Sequence, residues 1–187
     1  MLSGSDLVTL RDKALLFLGF AGAFRRSELV AVQIEDLTFT TQGMVVFIPQ
    51  SKGDQLGAGS EIAIPYAPQK EICAVRAVRN WMEAAGITSG PLFRGFKRNL
   101  QPRDTQLNDK AVAEIVKKYM ARLGLDPSDF AGHSLRRGFA TSAAQHDLNT
   151  LEIMRQTRHK SEKMVHRYIE QGNLFKENAL DKMFNKK

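Results

Sequence analysis

A chain of 187 residues, 43% hydrophobic and 25% charged, has the length and balance of one soluble globular domain with a full core. Its net charge of +7 points to a polyanionic partner, most often nucleic acid. The single cysteine, Cys73, excludes an internal disulfide and suits a reducing cytosol. No apolar run is long enough to span a bilayer, and no basic stretch followed by an apolar core marks a secretion signal.

Taken in chain order, residues 5–24 read as a helix. Ser5 or Asp6 is placed to cap it, and Leu7, Leu10, Ala14, Phe17, Leu18 and Ala21 recur at helical spacing. Gly22 weakens the last turn, and a short helix over 26–32 is expected after Arg25. From 36 to 66 the pattern changes. Segments 37–40, 44–48 and 60–65 are rich in β-formers, and turn residues at 41–43 and 51–54 separate them. A small three-stranded antiparallel sheet is expected there.

Helical spacing returns over 69–85, through Ile72, Val75, Val78, Trp81 and Met82 to a stop at Gly86. It recurs over 108–123, from Asn108 to just before Gly124. The basic, proline-containing stretch 91–107 reads as loop. Three more helices fit 134–145, 149–157 and 161–170, and an amphipathic segment from Leu174 to Phe184 closes the chain. The expectation is a mainly α domain with a small antiparallel sheet, single over 1–187, without repeats or an interdomain linker.

Chemistry concentrates in a few stretches: Arg25-Arg-Ser-Glu28, Lys52 in a turn, His133-Ser-Leu-Arg136-Arg137 followed by Gly-Phe-Ala-Thr141, and His159 nine residues before Tyr168. Guanidinium groups are always charged and grip phosphate oxygens in a fork. Three residues apart at a helix start, His133 and Arg136 share one face. A tyrosine with two arginines and two histidines fits phosphodiester cleavage by a covalent tyrosine without a metal. In this order and spacing the set resembles the tyrosine recombinases, also called the phage integrase family, from about Ser5 to about Phe184.

The resemblance implies the family's catalytic-domain fold and site-specific DNA strand exchange through a 3′-phosphotyrosine, with no cofactor, metal or ATP. Tyr168 would be the nucleophile, and Arg25 and Arg136 would clamp the non-bridging oxygens. His133 would accept the tyrosine proton and return it on resealing. His159 would hydrogen-bond the scissile phosphate, Lys52 would protonate the departing 5′-oxygen, and Glu28 would buttress the arginines. Arg137 would contact phosphate or lie on the surface. Double-stranded DNA and further copies of the chain, a tetramer on paired sites, would be the partners. The setting would be the cytoplasm of a bacterium, at its nucleoid, with the chain encoded by the host, a phage or a mobile element.

Segment 174–187 would exchange between protomers, with Gln171-Gly-Asn173 as hinge. The helical DNA-binding domain that usually precedes the catalytic one is expected to be absent from this chain, as in a fragment or a naturally short protein. As a fragment it would bind DNA weakly. The chain departs from the family pattern at Thr157-Arg158, where leucine-glycine is usual, and at Lys160, where a small polar residue is usual.

Other chemistries have weaker support. His159 and His166, seven apart, would share a helical face as metal ligands, but no carboxylate or cysteine cluster accompanies them. Ser134 and Ser142 lie near His133, but without a nucleophile-elbow motif or a matching acid. A type IB topoisomerase, or a DNA-binding regulator on an inactive scaffold, remains open as an alternative function.

Overall fold

The computed structural model describes residues 4–49, 59–159, 161–172 and 183. Helix α1 (Leu7–Ala21) starts where the Asp6 carboxylate accepts from the Thr9 backbone N–H at 3.0 Å, so the aspartate takes the capping role. It is the central helix. α2 (Arg26–Ala31), α3 (Ala74–Ala85), α4 (Asp109–Arg122) and α5 (Ser134–Gln145) all pack against it. A side chain at Gly19 would displace both Leu135 of α5 and Leu29 of α2, so glycine sets how closely these helices meet. α1 also buries a charge. Asp12 is fully enclosed and is paired with Arg11 at 2.7 Å and Lys118 of α4 at 3.0 Å, as burial of a carboxylate requires.

The three-stranded sheet follows α2 as expected. β1 (Leu37–Phe39), β2 (Gly43–Ile48) and β3 (Ser60–Pro65) are antiparallel with β2 in the middle, and Val45 stands opposite Thr38 on one side and Ala63 on the other. Met44, Val46 and Ile48 share the buried face with Ile62 and Ile64, while Phe47 faces outward. The turn expected at 51–54 lies outside the described residues.

Two expectations are corrected. The helix read over 69–85 begins only at Ala74. Residues Lys70–Ile72 form a separate 3₁₀ turn, and Ile72, counted in the apolar stripe, is 60% exposed. Cys73 has extended backbone between the two, and its buried Sγ accepts from the Ala67 backbone N–H at 3.4 Å. The stretch 91–107 is not loop throughout. β4 (Arg94–Phe96) and β5 (Pro102–Gln106) form an antiparallel hairpin with an irregular register. Its residues are largely polar and none is buried, so alternation of apolar residues, the usual mark of a strand, is missing. Pro102 sits at the first position of its strand, where a missing N–H is tolerated.

α5 is followed by α6 (Thr150–Thr157) and α7 (Glu162–Gly172). The core divides in two. The larger cluster joins α1–α4 and the three-stranded sheet around Trp81, Phe24, Leu15 and Phe93. A smaller one holds α5–α7 together through Ala140, Ala143, Ala144, Ile153 and Val165. The segment from Leu174 to Phe184 lies outside the described residues except for Met183. Among the described residues, no helix is long and apolar enough to cross a membrane.

Candidate active site

The site is built where α1 ends. A helix C-terminus leaves carbonyl oxygens without intrahelical partners and carries the negative end of the helix dipole. Ala23, just past the end, has φ 45, a conformation that L-residues rarely adopt. Three donors from the α5–α7 unit meet the carbonyls of this turn. Gln156 Nε2 donates to Ala21 O at 2.6 Å, Arg158 Nη1 to Gly22 O at 3.1 Å, and Arg136 Nη1 to Ala23 O at 2.8 Å. Two of the three are cations, which suits the dipole.

Arg25 is the extended residue just before α2. Its backbone N–H donates to Glu28 Oε2 at 2.9 Å, and its guanidinium donates to Glu28 Oε1. The second oxygen of Glu28 also accepts from Arg158 Nη2 at 2.8 Å. Burial works against the Glu28 charge. The Arg25 backbone N–H, Arg158 and the Arg25 guanidinium together outweigh it and hold the carboxyl below its usual range. One buried carboxylate therefore fixes two arginines.

Arg136, in the first turn of α5, is 5% exposed. Burial first, then the charges of Arg25 and Arg158, push its guanidinium down to about 10, so it stays cationic at neutral pH. Its second terminal nitrogen, Nη2, is buried and has no hydrogen-bond partner. A buried charged donor left unpaired is costly, and a bound anion removes that cost. Arg158 Nε is likewise buried without a partner, so Arg25, Arg136 and Arg158 make a cationic cluster with two donors in reserve.

His159 lies in the connection between α6 and α7, half-buried, and Tyr168 lies on α7. Their rings sit with centroids 6.0 Å apart and planes tilted by 30°. Burial, then the charges of Arg136, Arg25 and Arg158, push the His159 imidazole down to about 4. Its Nδ1 is 2.8 Å from Thr157 Oγ1. His133 is exposed at the residue before α5, three positions from Arg136. Arg137 is exposed. Lys52 and Lys160 lie outside the described residues. His159 precedes α7, so it does not share a helical face with His166 as the metal reading required. Among the described residues no group of three His, Cys, Asp or Glu side chains could hold a metal ion. The Ser134 hydroxyl accepts from the Ala131 N–H at 2.8 Å and so closes the turn into α5.

The model of the phage integrase family matches residues 4–173. The chain belongs to that family. The integrase/recombinase xerD homolog of Selenomonas ruminantium is 70% identical over 177 residues, which is 95% of this chain and 52% of that protein. Tyrosine recombinase XerD of Xanthomonas axonopodis pv. citri (strain 306) is 30% identical over 82% of this chain and 50% of that protein. The chain thus spans about half the length of the curated relatives it matches. Among solved structures, a post-cleavage complex of the XerH site-specific recombinase with a palindromic difH substrate superposes with a TM-score of 0.72. It covers 95% of this chain and 46% of that one at 18% identity, a likeness of fold.

Within this phage integrase fold, Arg158 went unrecognised in the sequence as a residue of the site. Arg158 stands where the family usually has glycine, and its backbone has the left-handed conformation that glycine favours, with φ 56. A guanidinium that ties Gly22, Ala23, Gln156 and Glu28 together accompanies this strained backbone. The departure from leucine-glycine was itself the signal, but sequence gave no direction to the side chain.

Proposed function

We propose that this chain is the catalytic half of a site-specific DNA recombinase that cuts and rejoins strands through a covalent 3′-phosphotyrosine. The observation that carries this is the unpartnered, buried Nη2 of Arg136, held beside Arg25 by Glu28 and Ala23 in the pocket that adjoins Tyr168. Such a pocket suits a phosphodiester anion. Tyr168 attacks phosphorus, and Arg25 and Arg136 neutralise the charge that grows on the non-bridging oxygens. Preorganised donors of this kind are worth about two to three orders of magnitude in rate each. Lys52 protonates the 5′-oxygen as it leaves, His133 takes the tyrosine proton and returns it on resealing, and His159 hydrogen-bonds the scissile phosphate. Glu28 and Arg158 hold the clamp in place. The phosphotyrosine keeps the energy of the broken bond, so a 5′-hydroxyl reseals the strand without ATP.

Double-stranded DNA is the proposed substrate. The net charge of +7 and the capture of recombinases of this fold on their DNA sites support it. Assembly as a tetramer on paired sites, with segment 174–187 passed between protomers, is proposed as well.

The test uses a pool of nicked duplexes with randomised sequence around the nick, which trap a cleaved strand on the protein. The wild-type chain gives an adduct that survives denaturing electrophoresis. Tyr168→Phe gives none while DNA binding is kept, because only the hydroxyl is lost. An undiminished adduct in Tyr168→Phe refutes the nucleophile. Binding by the wild type without any adduct favours a regulator.

A further inference from the structure

The tip of the β4–β5 hairpin gathers groups that the active site does not use. Lys97, Arg98, Asn99, Leu100 and Gln101 join the two strands, and all five are exposed. The Lys97 N–H donates to Gln101 O at 2.9 Å and the Leu100 N–H to Lys97 O at 3.0 Å, so the turn is closed by its own backbone. Leu100 has φ 60, a conformation that L-residues rarely adopt, and it is 62% exposed. Glycine takes such a turn without strain. Neither burial nor backbone preference accounts for a leucine there.

The hairpin is anchored. Arg11 of α1 donates from Nη1 to Arg94 O at 3.1 Å, and its guanidinium lies 5.0 Å over the Phe96 ring. Phe96 meets Trp81 edge to face, with centroids 6.1 Å apart. Arg94 and Arg103 turn to backbone carbonyls, of Pro91 at 2.8 Å and of Phe96 at 3.1 Å. Asp104, the one carboxylate of 94–106, pairs with Arg94 at 3.6 Å. Among the described residues no carboxylate pairs with Lys97 or Arg98.

Two cations, two amides and an apolar side chain are the groups with which proteins enter the minor groove of duplex DNA. The floor of that groove shows only acceptors at an A·T pair, and a G·C pair adds the guanine amino group. Asn99 uses its Oδ1 to accept from the Gln101 N–H at 3.3 Å, so its free end is the amide nitrogen, a donor. A ribbon lying along the major groove would bring Asp104, whose side chain is 89% exposed, against phosphates. Entry by the tip alone keeps that carboxylate away. The hairpin also starts beside the clamp. β5 leads into α4, whose Asp109 pairs at 3.1 Å with Arg26, the neighbour of Arg25. The chain from Leu100 to Asp109 reaches at most about 30 Å, less than the roughly 34 Å of one turn of B-DNA.

We propose that this tip is a second DNA-binding site, which enters the minor groove of the duplex held by the clamp; it rests on the reading of double-stranded DNA as substrate. Lys97 and Arg98 contact the phosphates that line the groove. The Asn99 and Gln101 amides donate to acceptors on its floor, and Leu100 presses against the base edges. The site favours A·T pairs, because the guanine amino group stands in the way of Leu100.

The test measures binding of the full chain to short duplexes by fluorescence anisotropy across a salt series. The wild type binds A·T-rich duplex more tightly than G·C-rich duplex. Replacing guanine by inosine, which removes only the minor-groove amino group, raises the affinity to the A·T level. Lys97→Gln together with Arg98→Gln weakens binding about tenfold at about 0.1 M salt and lowers the slope of log K against log salt by about two. Leu100→Gly relaxes the turn and so keeps the fold. It weakens binding to A·T-rich duplex about tenfold, the scale of one leucine taken out of water, with the salt slope unchanged. It also loses the preference for inosine over guanine. Unchanged affinity in both variants overturns the site and leaves DNA as the substrate. A wild type indifferent to inosine, whose variants lose affinity, overturns the minor-groove assignment. Absence of binding to any duplex at low salt removes the DNA reading itself, and the tip site with it.

Discussion

Trp81, Phe24, Leu15 and Phe93 are each at most 1% exposed in the cluster that joins α1–α4 and the sheet. The α5–α7 unit instead rests on three alanines with Ile153 and Val165, rimmed by partly buried Phe139, Met154, Tyr168 and Ile169. The active site straddles these two regions. Arg25 and Glu28 belong to the first, and Arg136, His159 and Tyr168 to the second. What joins them at the site is largely polar: three carbonyls at the end of α1 that receive Gln156, Arg158 and Arg136, and one carboxylate shared by Arg25 and Arg158. A densely packed half that holds Arg25 and Glu28 and a lightly packed half that carries Tyr168 fit the proposed reaction, in which tyrosine and phosphate must align on demand. Thinly packed elements are where local opening is least costly.

The largest expected effects break this comparison directly. Trp81→Ala empties a fully buried site and forfeits the indole N–H bond to the Leu92 carbonyl at 2.8 Å. It should lower global stability by about 3–5 kcal/mol in denaturant unfolding. Ile153→Ala, in the small cluster, should cost about 2–5 kcal/mol. Its loss should appear in hydrogen exchange as opening of α5–α7 while α1–α4 stay protected. Equal loss of protection in both regions would mean that they unfold as one.

Arg158 sharpens the comparison because it bridges the halves. Removing one partner of a buried ion pair costs about 3–5 kcal/mol. Arg158→Gly should lose less than Arg158→Met, by about 1 kcal/mol, because glycine relieves the left-handed backbone. Both should slow adduct formation, since Arg25 loses the second cation that fixes Glu28. Equal stability of the two variants would show that φ 56 is unstrained.

The smallest effect is a pH slope. His159 titrates at about 4 in the fold against an ordinary 6.5, so below 6.5 the unfolded chain binds its proton first. Stability is full above pH 6.5 and is lost as pH falls toward 4. His159→Gln should flatten that slope in urea titrations across the interval. An unchanged slope would place its origin elsewhere.

Helix α4 and the three-stranded sheet were legible because their apolar residues repeat at the period of the element that buries them. α1 is apolar nearly all round, and its buried Leu15 and Leu16 lay outside the stripe read from the sequence. The β4–β5 hairpin was not, since its pairing is a backbone property of polar residues. Arg25, Glu28, Arg136, His159 and Tyr168 stood out through a family pattern of types and spacing. Arg158 and Thr157 did not, because their partners include carbonyl oxygens, which every residue has. The Gly22 carbonyl that Arg158 reaches lies 136 positions away in the chain.

Peptide mapping of the covalent adduct tests the central claim most directly. The chain has three tyrosines, Tyr66, Tyr119 and Tyr168. Digestion of the wild-type adduct, followed by mass spectrometry, should find a 3′-phosphoryl nucleotide on Tyr168 alone. A nucleotide on any other residue, or cleaved DNA with no protein attached, would contradict it.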